Sequence, residues 1–93
     1  MKELQVKVSN RNGLHARPSA HFASIAKKFD CRISVTKGDR AADGKSIMGL
    51  LTLAASYGTV LNICLVGPES EQASQALLED CKEHITLVEP ESP

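Results

Sequence analysis

Charge of one sign is what this sequence lacks first: its 93 residues carry 11 Lys and Arg against 11 Asp and Glu. Nucleic-acid-binding domains normally show a basic excess, so the balance argues against that class, and no strong partner class follows from net charge. Long hydrophobic runs are missing as well. Without an apolar stretch of about 18 residues or a secretory h-region, neither membrane insertion nor export is expected, and the chain reads as cytoplasmic. Cysteine is sparse. Cys31, Cys64 and Cys81 are odd in number and scattered, without the close pairs that zinc sites and disulfide frameworks use. Reduced, half-buried thiols are the expectation, with no metal among them, and no cofactor is implied. Internal repeats and linkers are absent too, so the chain makes one domain with room for one core.

What is present is a legible sequence of periodicities. Leu4, Val6 and Val8 alternate with polar residues and predict a half-buried strand from Lys2 to Val8. From Ala16 to about Phe29, Phe22, Ala26 and Phe29 recur at helical spacing with Ile25 beside them, giving one apolar face. Ile33 and Val35 alternate within Cys31 to Lys37. Lys37, Gly38 and Asp39 then read as a turn into a short return strand over Arg40 to Asp43. Val60 to Val66 reads as a central strand ended by Gly67 and Pro68. Ala73, Ala76, Leu77 and Cys81 predict a last helix from an N-cap at Ser70 to about His84, followed after Val88 by a flexible tail over residues 89–93. The expected architecture is α+β, in the order βαββαβα: a four-stranded antiparallel sheet with three helices on one face, over residues 1–88.

The chemistry concentrates in Gly13, Leu14, His15, Ala16, Arg17 and Pro18. Proline is tolerated in a first helical turn because its missing N–H would go unsatisfied there, so Pro18 places the helix start near Ala16 and makes His15 its N-cap or first residue. Helix N-termini present unpaired N–H groups and a partial positive charge that together hold phosphate; the amides of Ala16 and Arg17 are the candidates. Imidazole is a competent nucleophile that can carry a covalent intermediate, and a guanidinium offers planar donors suited to phosphate oxygens. Asn12 is placed to cap the helix or orient the ring. The plain alternative is a histidine that merely caps a helix or lies in solvent. His21, six residues on, points to another side of the helix and reads as a solvated surface residue.

A second apolar segment runs from Ser46 to about Ala54 with more apolar positions than one face of a short helix can bury. Leu50, Leu53 and Ala54 form one stripe, Ile47 and Leu51 another, with Met48 between. One stripe therefore lies outside the core, either as a docking surface or buried on a second side. Ser46 is the expected N-cap of this helix.

Residues 13 to 18, the Gly44-Lys45-Ser46-Ile47-Met48 segment, the Gly58-Thr59 turn and the flanking elements resemble, along nearly the whole chain, the HPr family, the histidine-containing phosphocarriers of the bacterial phosphotransferase system. The resemblance implies an open-faced β-sandwich. In that family the histidine matching His15 accepts phosphate from enzyme I, itself charged by phosphoenolpyruvate, and passes it to sugar-specific acceptor proteins, assisted by the arginine matching Arg17. The apolar patch of Ile47, Met48 and Leu51, completed by Ala20, Ser24 and Lys27 on the outer side of the first helix, is then the landing site for enzyme I and its acceptors. A serine matching Ser46 is phosphorylated in many members by HPr kinase/phosphorylase, and a phosphate there adds negative charge inside the docking patch. Ser19 and Ser24 stand where members commonly carry alanine and lysine, and the tail runs past the usual end, which leaves partner choice open. Two readings remain. One is a phosphocarrier of the sugar branch that is not itself an enzyme; the other is a regulatory binding module of a nitrogen-related or catabolite-control branch, docking a transcriptional regulator according to its phosphorylation state.

Overall fold

A computed structural model describes residues 1–88; the expected flexible tail, 89–93, lies outside the described residues. The elements in chain order are β1 (Lys2–Val8), α1 (Ala16–Ala26), β2 (Arg32–Lys37), β3 (Arg40–Asp43), α2 (Ile47–Thr52), β4 (Val60–Val66), α3 (Ser70–Asp80) and β5 (Ile85–Leu87). The strands form one antiparallel sheet in the order β3-β2-β4-β1-β5. Register follows hydrophobic alternation. Leu4 faces Ile63, Val6 faces Leu61 and Val35 faces Ile63, so the apolar side chains of three strands meet on one face. Glu3, Gln5, Asn62 and Arg32 occupy the opposite, solvated face. A one-residue slip would exchange the two sets, which is why the register is well specified.

The helices cover the apolar face. Phe22, Ala23, Ile25 and Ala26 of α1, Leu50 of α2, and Ala73 and Leu77 of α3 are buried with the inward strand residues in a single core. Full burial of a Leu or Ile side chain is worth about 1.5–3 kcal/mol, so this face carries the fold's stability. No helix among the described residues is long and apolar enough to cross a membrane. Cys31 and Cys81 are buried and Cys64 is half-buried, all three free, so only one of the three is half-buried as expected. Burial, aided by Asp80, pushes the Cys81 thiol up to about 11. Burial also raises Cys31, against the opposing pull of Lys45.

The elements depart from the periodicity reading in five respects. The sheet has five strands, not four. The last helix stops at Asp80 rather than near His84: residues 81–84 form turns in which the His84 N–H reaches the Cys81 carbonyl at 2.8 Å, and Ile85–Leu87 pairs with β1. A strand of three residues leaves no periodic signature. It forms because β1 would otherwise expose a row of unpaired backbone groups at the sheet edge. Ser70 is the first helical residue of α3 rather than its cap. Glu69 takes the cap position because two hydrogen bonds tie it to the turn after α1, the Asp30 N–H donating to its carboxylate at 2.7 Å and its own N–H donating to the Asp30 carbonyl at 3.2 Å.

The first helix ends at Ala26, not Phe29, because the chain tightens into three-residue turns in which the Lys28 and Phe29 N–H groups reach the Ile25 and Ala26 carbonyls. In the same way α2 ends at Thr52. Ala54 leaves the expected stripe, exposed, with φ +50. It follows the C-cap Leu53 at the position where helices commonly place a left-handed glycine. The carbonyls around it are held by cations: Lys37 Nζ donates to Leu53 and Ala54 at 2.9 and 3.2 Å, and an Arg40 guanidinium nitrogen to Thr52 at 3.1 Å. A left-handed alanine costs roughly 1–2 kcal/mol, while glycine costs roughly 0.5–1 kcal/mol in chain entropy. Ala54→Gly is therefore expected to stabilise the domain by about 0.5–1 kcal/mol, read as a higher urea midpoint at unchanged slope.

Candidate functional site

His15 is the N-cap of α1, with φ −82 and ψ −166, exposed, and its side chain makes no cap hydrogen bond. Its carbonyl accepts the first helical bond from Ser19 at 3.0 Å. Pro18 is buried inside the first turn and contributes no donor. The N–H groups of Ala16 and Arg17 have no backbone acceptor among the described residues, as expected for a first turn. The Arg17 side chain is exposed and in no ion pair among the described residues. A free ring, two free amides and a free guanidinium thus share one helix end.

The backbone before His15 is clamped. Leu14 is buried; its N–H donates to the Ala55 carbonyl at 2.8 Å and its carbonyl accepts from the Ser19 hydroxyl at 3.2 Å. Gly13 adopts φ +73 and lies so close to the segment after α2 that a Cβ there would stand 2.5 Å from the Ala55 oxygen. Only glycine meets both demands. Ser19, a departure from the commonest pattern, is the tether that completes this clamp. Its role is invisible in sequence because the partner is a carbonyl rather than a side chain.

Asn12, expected to cap the helix or orient the ring, is exposed. Its side chain makes no hydrogen bond among the described residues, and its backbone N–H donates to Asn10 Oδ1 at 3.0 Å. Asn10 organises this loop instead, since its carbonyl also accepts from Gly13 at 2.9 Å and its amide nitrogen lies 3.1 Å from His84 Nδ1. His84 in turn meets His21 edge to face, ring centroids 5.5 Å apart with an interplanar angle of 86°. His21 is exposed, as expected of it, but packs on a ring that sequence spacing gave no reason to place there. Burial lowers the basicity of His84, helped by the charge of His21 and, more weakly, of His15, against the opposing effect of Glu83. Because the fold favours neutral His84, the stability this ring contributes is present above its unfolded value of about 6.5 and is lost as pH falls through its lower folded value. No group of three or more His, Cys, Asp or Glu that would hold a metal assembles among the described residues.

The second segment divides as its two stripes imply. Leu50 and Leu53 are buried, whereas Ile47 and Met48 are 38% and 71% exposed. Leu51 is half-buried. Helix α2 packs against α1, whose Ser24 and C-cap residue Lys27 are exposed and whose Ala20 is half-buried. Ser46 caps α2 as expected, its hydroxyl accepting from Gly49 N–H at 3.0 Å.

An open-faced α+β domain that presents an exposed histidine at a helix N-terminus defines a class of small carrier-like domains. The family model described as the phosphotransferase-system HPr component phosphorylation site matches residues 2–83, and the chain belongs to the HPr phosphocarrier family. It is 42% identical over 78 residues to the phosphocarrier protein HPr of Vibrio cholerae, spanning 84% of this chain and 92% of that one. Among solved structures it is similar to HPr-C-His from Thermoanaerobacter tengcongensis, at 39% identity and TM-score 0.83, covering 88% of this chain and 92% of that one. It also resembles the catabolite repression protein Crh of Bacillus subtilis, a domain-swapped dimer, at 34% identity and TM-score 0.70, covering 83% and 88%.

Proposed function

We propose that this chain is a cytoplasmic phosphocarrier in which His15 accepts a phosphoryl group from phospho-enzyme I and passes it to sugar-specific acceptor proteins. It is a transfer intermediate, not an independent enzyme. The observation that carries this reading is the exposed His15 ring at a helix end whose Ala16 and Arg17 amides lack partners, on a loop clamped through Leu14. In the step, the donor's P–N bond breaks with its electron pair staying on the donor ring, and a lone pair of the His15 imidazole forms the new P–N bond. The free amides and the Arg17 guanidinium meet the phosphoryl oxygens, whose charge the helix N-terminus favours. A rigid backbone before the ring keeps the transfer geometry without ordering it anew each cycle. Incubation with enzyme I and labelled phosphoenolpyruvate tests the reading: acid-labile label is expected on this chain, and no label would sink it.

Ile47, Met48 and Leu51, with Ala20, Ser24 and Lys27, form the docking surface in this reading. Exposed Met48 supports it, because an unbranched thioether repacks readily against different partners. Ser46 is the regulatory position, a target of HPr kinase/phosphorylase. Its cap role and its regulation separate by substitution. Ser46→Ala is expected to cost about 1 kcal/mol in urea unfolding through the lost Gly49 bond, and to abolish acid-stable label from ATP and the kinase. Ser46→Asp retains a capping oxygen and places a favourable charge at the helix start, so the fold should hold while affinity for enzyme I falls roughly tenfold by titration.

The likeness to Crh favours a second reading, a module of catabolite control that docks a transcriptional regulator, with a nitrogen-related branch as its variant. The intact His15, Arg17 and Pro18 favour the carrier. A module needing only phospho-Ser46 has no use for a nucleophile on a clamped helix end.

A further inference from the structure

His84 lies one residue beyond the family-matched span, which ends at 83, and the unexpected fifth strand is what delivers it. Two backbone bonds fix its position: its N–H donates to Cys81 at 2.8 Å, and its carbonyl accepts from Ser9 at 2.9 Å. Its ring therefore stands against the loop that leads from β1 to His15.

The hydrogen-bond logic at this ring is asymmetric. An amide N–H only donates, so with Asn10 Nδ2 facing His84 Nδ1 at 3.1 Å the neutral ring accepts there and carries its hydrogen on Nε2. The other end of the Asn10 amide is already engaged, its Oδ1 accepting from Asn12 N–H at 3.0 Å. Protonating His84 places two donors face to face. The conflict is relieved if the Asn10 amide turns its oxygen to the imidazolium, which removes the acceptor from the Asn12 N–H three residues before His15. His21 on α1, Glu83 on the same turn and His15 on the loop are the charged groups whose fields act on this ring.

We propose that His84 is a positioning residue for the loop carrying His15: neutral, it latches Asn10 and through it Asn12; protonated, it releases that latch, and phosphate on His15 favours the protonated form. The inference rests on the assignment of phosphate to His15. The electrostatics have a definite sign. Positive charge on His15 disfavours charge on His84, so the negative charge of a phosphoryl group on His15 acts in the opposite sense and favours the His84 imidazolium. Phosphoryl transfer itself balances without this proton, because one P–N bond replaces another; the proton on His84 comes from solvent. Linkage then requires that the loaded carrier be favoured as pH falls through the His84 range.

The test uses the full chain, potassium phosphoramidate as phosphoryl donor and long-range proton–nitrogen correlation spectra of the histidine rings. The spectra are recorded across about pH 5 to 8, where imidazoles titrate. In the free protein the Asn12 amide signal should titrate with the His84 midpoint, and in His84→Gln it should not titrate there. In the phosphorylated protein the His84 midpoint should rise, as expected when negative charge is added at His15. A His84 midpoint that stays in place while His15 carries phosphate overturns the inference and leaves the carrier reading intact, as does an Asn12 amide indifferent to His84. Absence of phosphohistidine at His15 sinks the carrier reading, and the inference with it.

Discussion

Replacing His15 with alanine is expected to remove all acid-labile label from phosphoenolpyruvate and enzyme I while leaving the fold at nearly full stability. The two halves have separate causes. The imidazole is the one nucleophile at the free helix end, and no neighbouring side chain can stand in for its lone pair, so the loss is to background rather than partial. The ring is exposed and makes no cap hydrogen bond, so its removal takes little from the native state, within about 0.5 kcal/mol in urea unfolding. Arg17→Ala should keep some labelling, because the Ala16 and Arg17 amides remain. Label surviving in His15→Ala would move the phosphoryl site elsewhere, with His21 and His84 the first places to look.

The opposite pattern is expected of Gly13→Ala, a change of one methyl group that touches no reacting atom. At φ +73 an alanine costs roughly 1–2 kcal/mol, and driving its Cβ into a well-packed contact costs roughly 1–3 kcal/mol more. The Cβ would stand 2.5 Å from the Ala55 oxygen and 3.0 Å from Ser56 Cα, both backbone atoms of a segment that cannot swing away alone. A loss of about 2–5 kcal/mol follows, and a fall in Tm of about 10–25 °C by calorimetry. Relief by displacement would break the Leu14–Ala55 bond that clamps the loop, so phosphoryl acceptance should slow as well, even below the new Tm. Unchanged stability would mean that the loop before His15 is looser than its contacts imply.

The two variants mark how far the site could be read from the chain alone. The helix start at Ala16, with His15 as its N-cap, was legible because a helix start is a local event, governed by proline's fixed φ and by four unpaired donors. Ser46 was legible as a cap for the same reason. The surplus apolar positions of α2 required a stripe outside the main core, since a short helix has one buried face, but whether that stripe was exposed or buried on a second side was decided only by the structure, where Met48 is exposed. The part of Asn10 was not legible, because its partners, the Asn12 and Gly13 N–H groups and the His84 ring, meet it through a loop fold that nearness in sequence does not show. The expectations for Ala54 and Ser70 misled because the conformations there depend on distant groups: Lys37 and Arg40 hold the carbonyls around Ala54, and Asp30 ties Glu69 into the cap position ahead of Ser70.

The sequence by itself determined the alternation that puts Leu4, Val6, Ile33, Val35, Ile63 and Leu65 on one face of a sheet, the helices that cover it, and the histidine at the mouth of the first. These depend on periods of two and 3.6 residues and on caps, all interactions within a few positions along the chain. Tertiary structure alone decided the fifth strand, the Leu14–Ala55 clamp and the approach of His84 to the loop before His15. Each of these is a contact between residues more than 40 positions apart, made by backbone groups or by a side chain's fit to a distant partner, and neither leaves a repeating mark in the sequence.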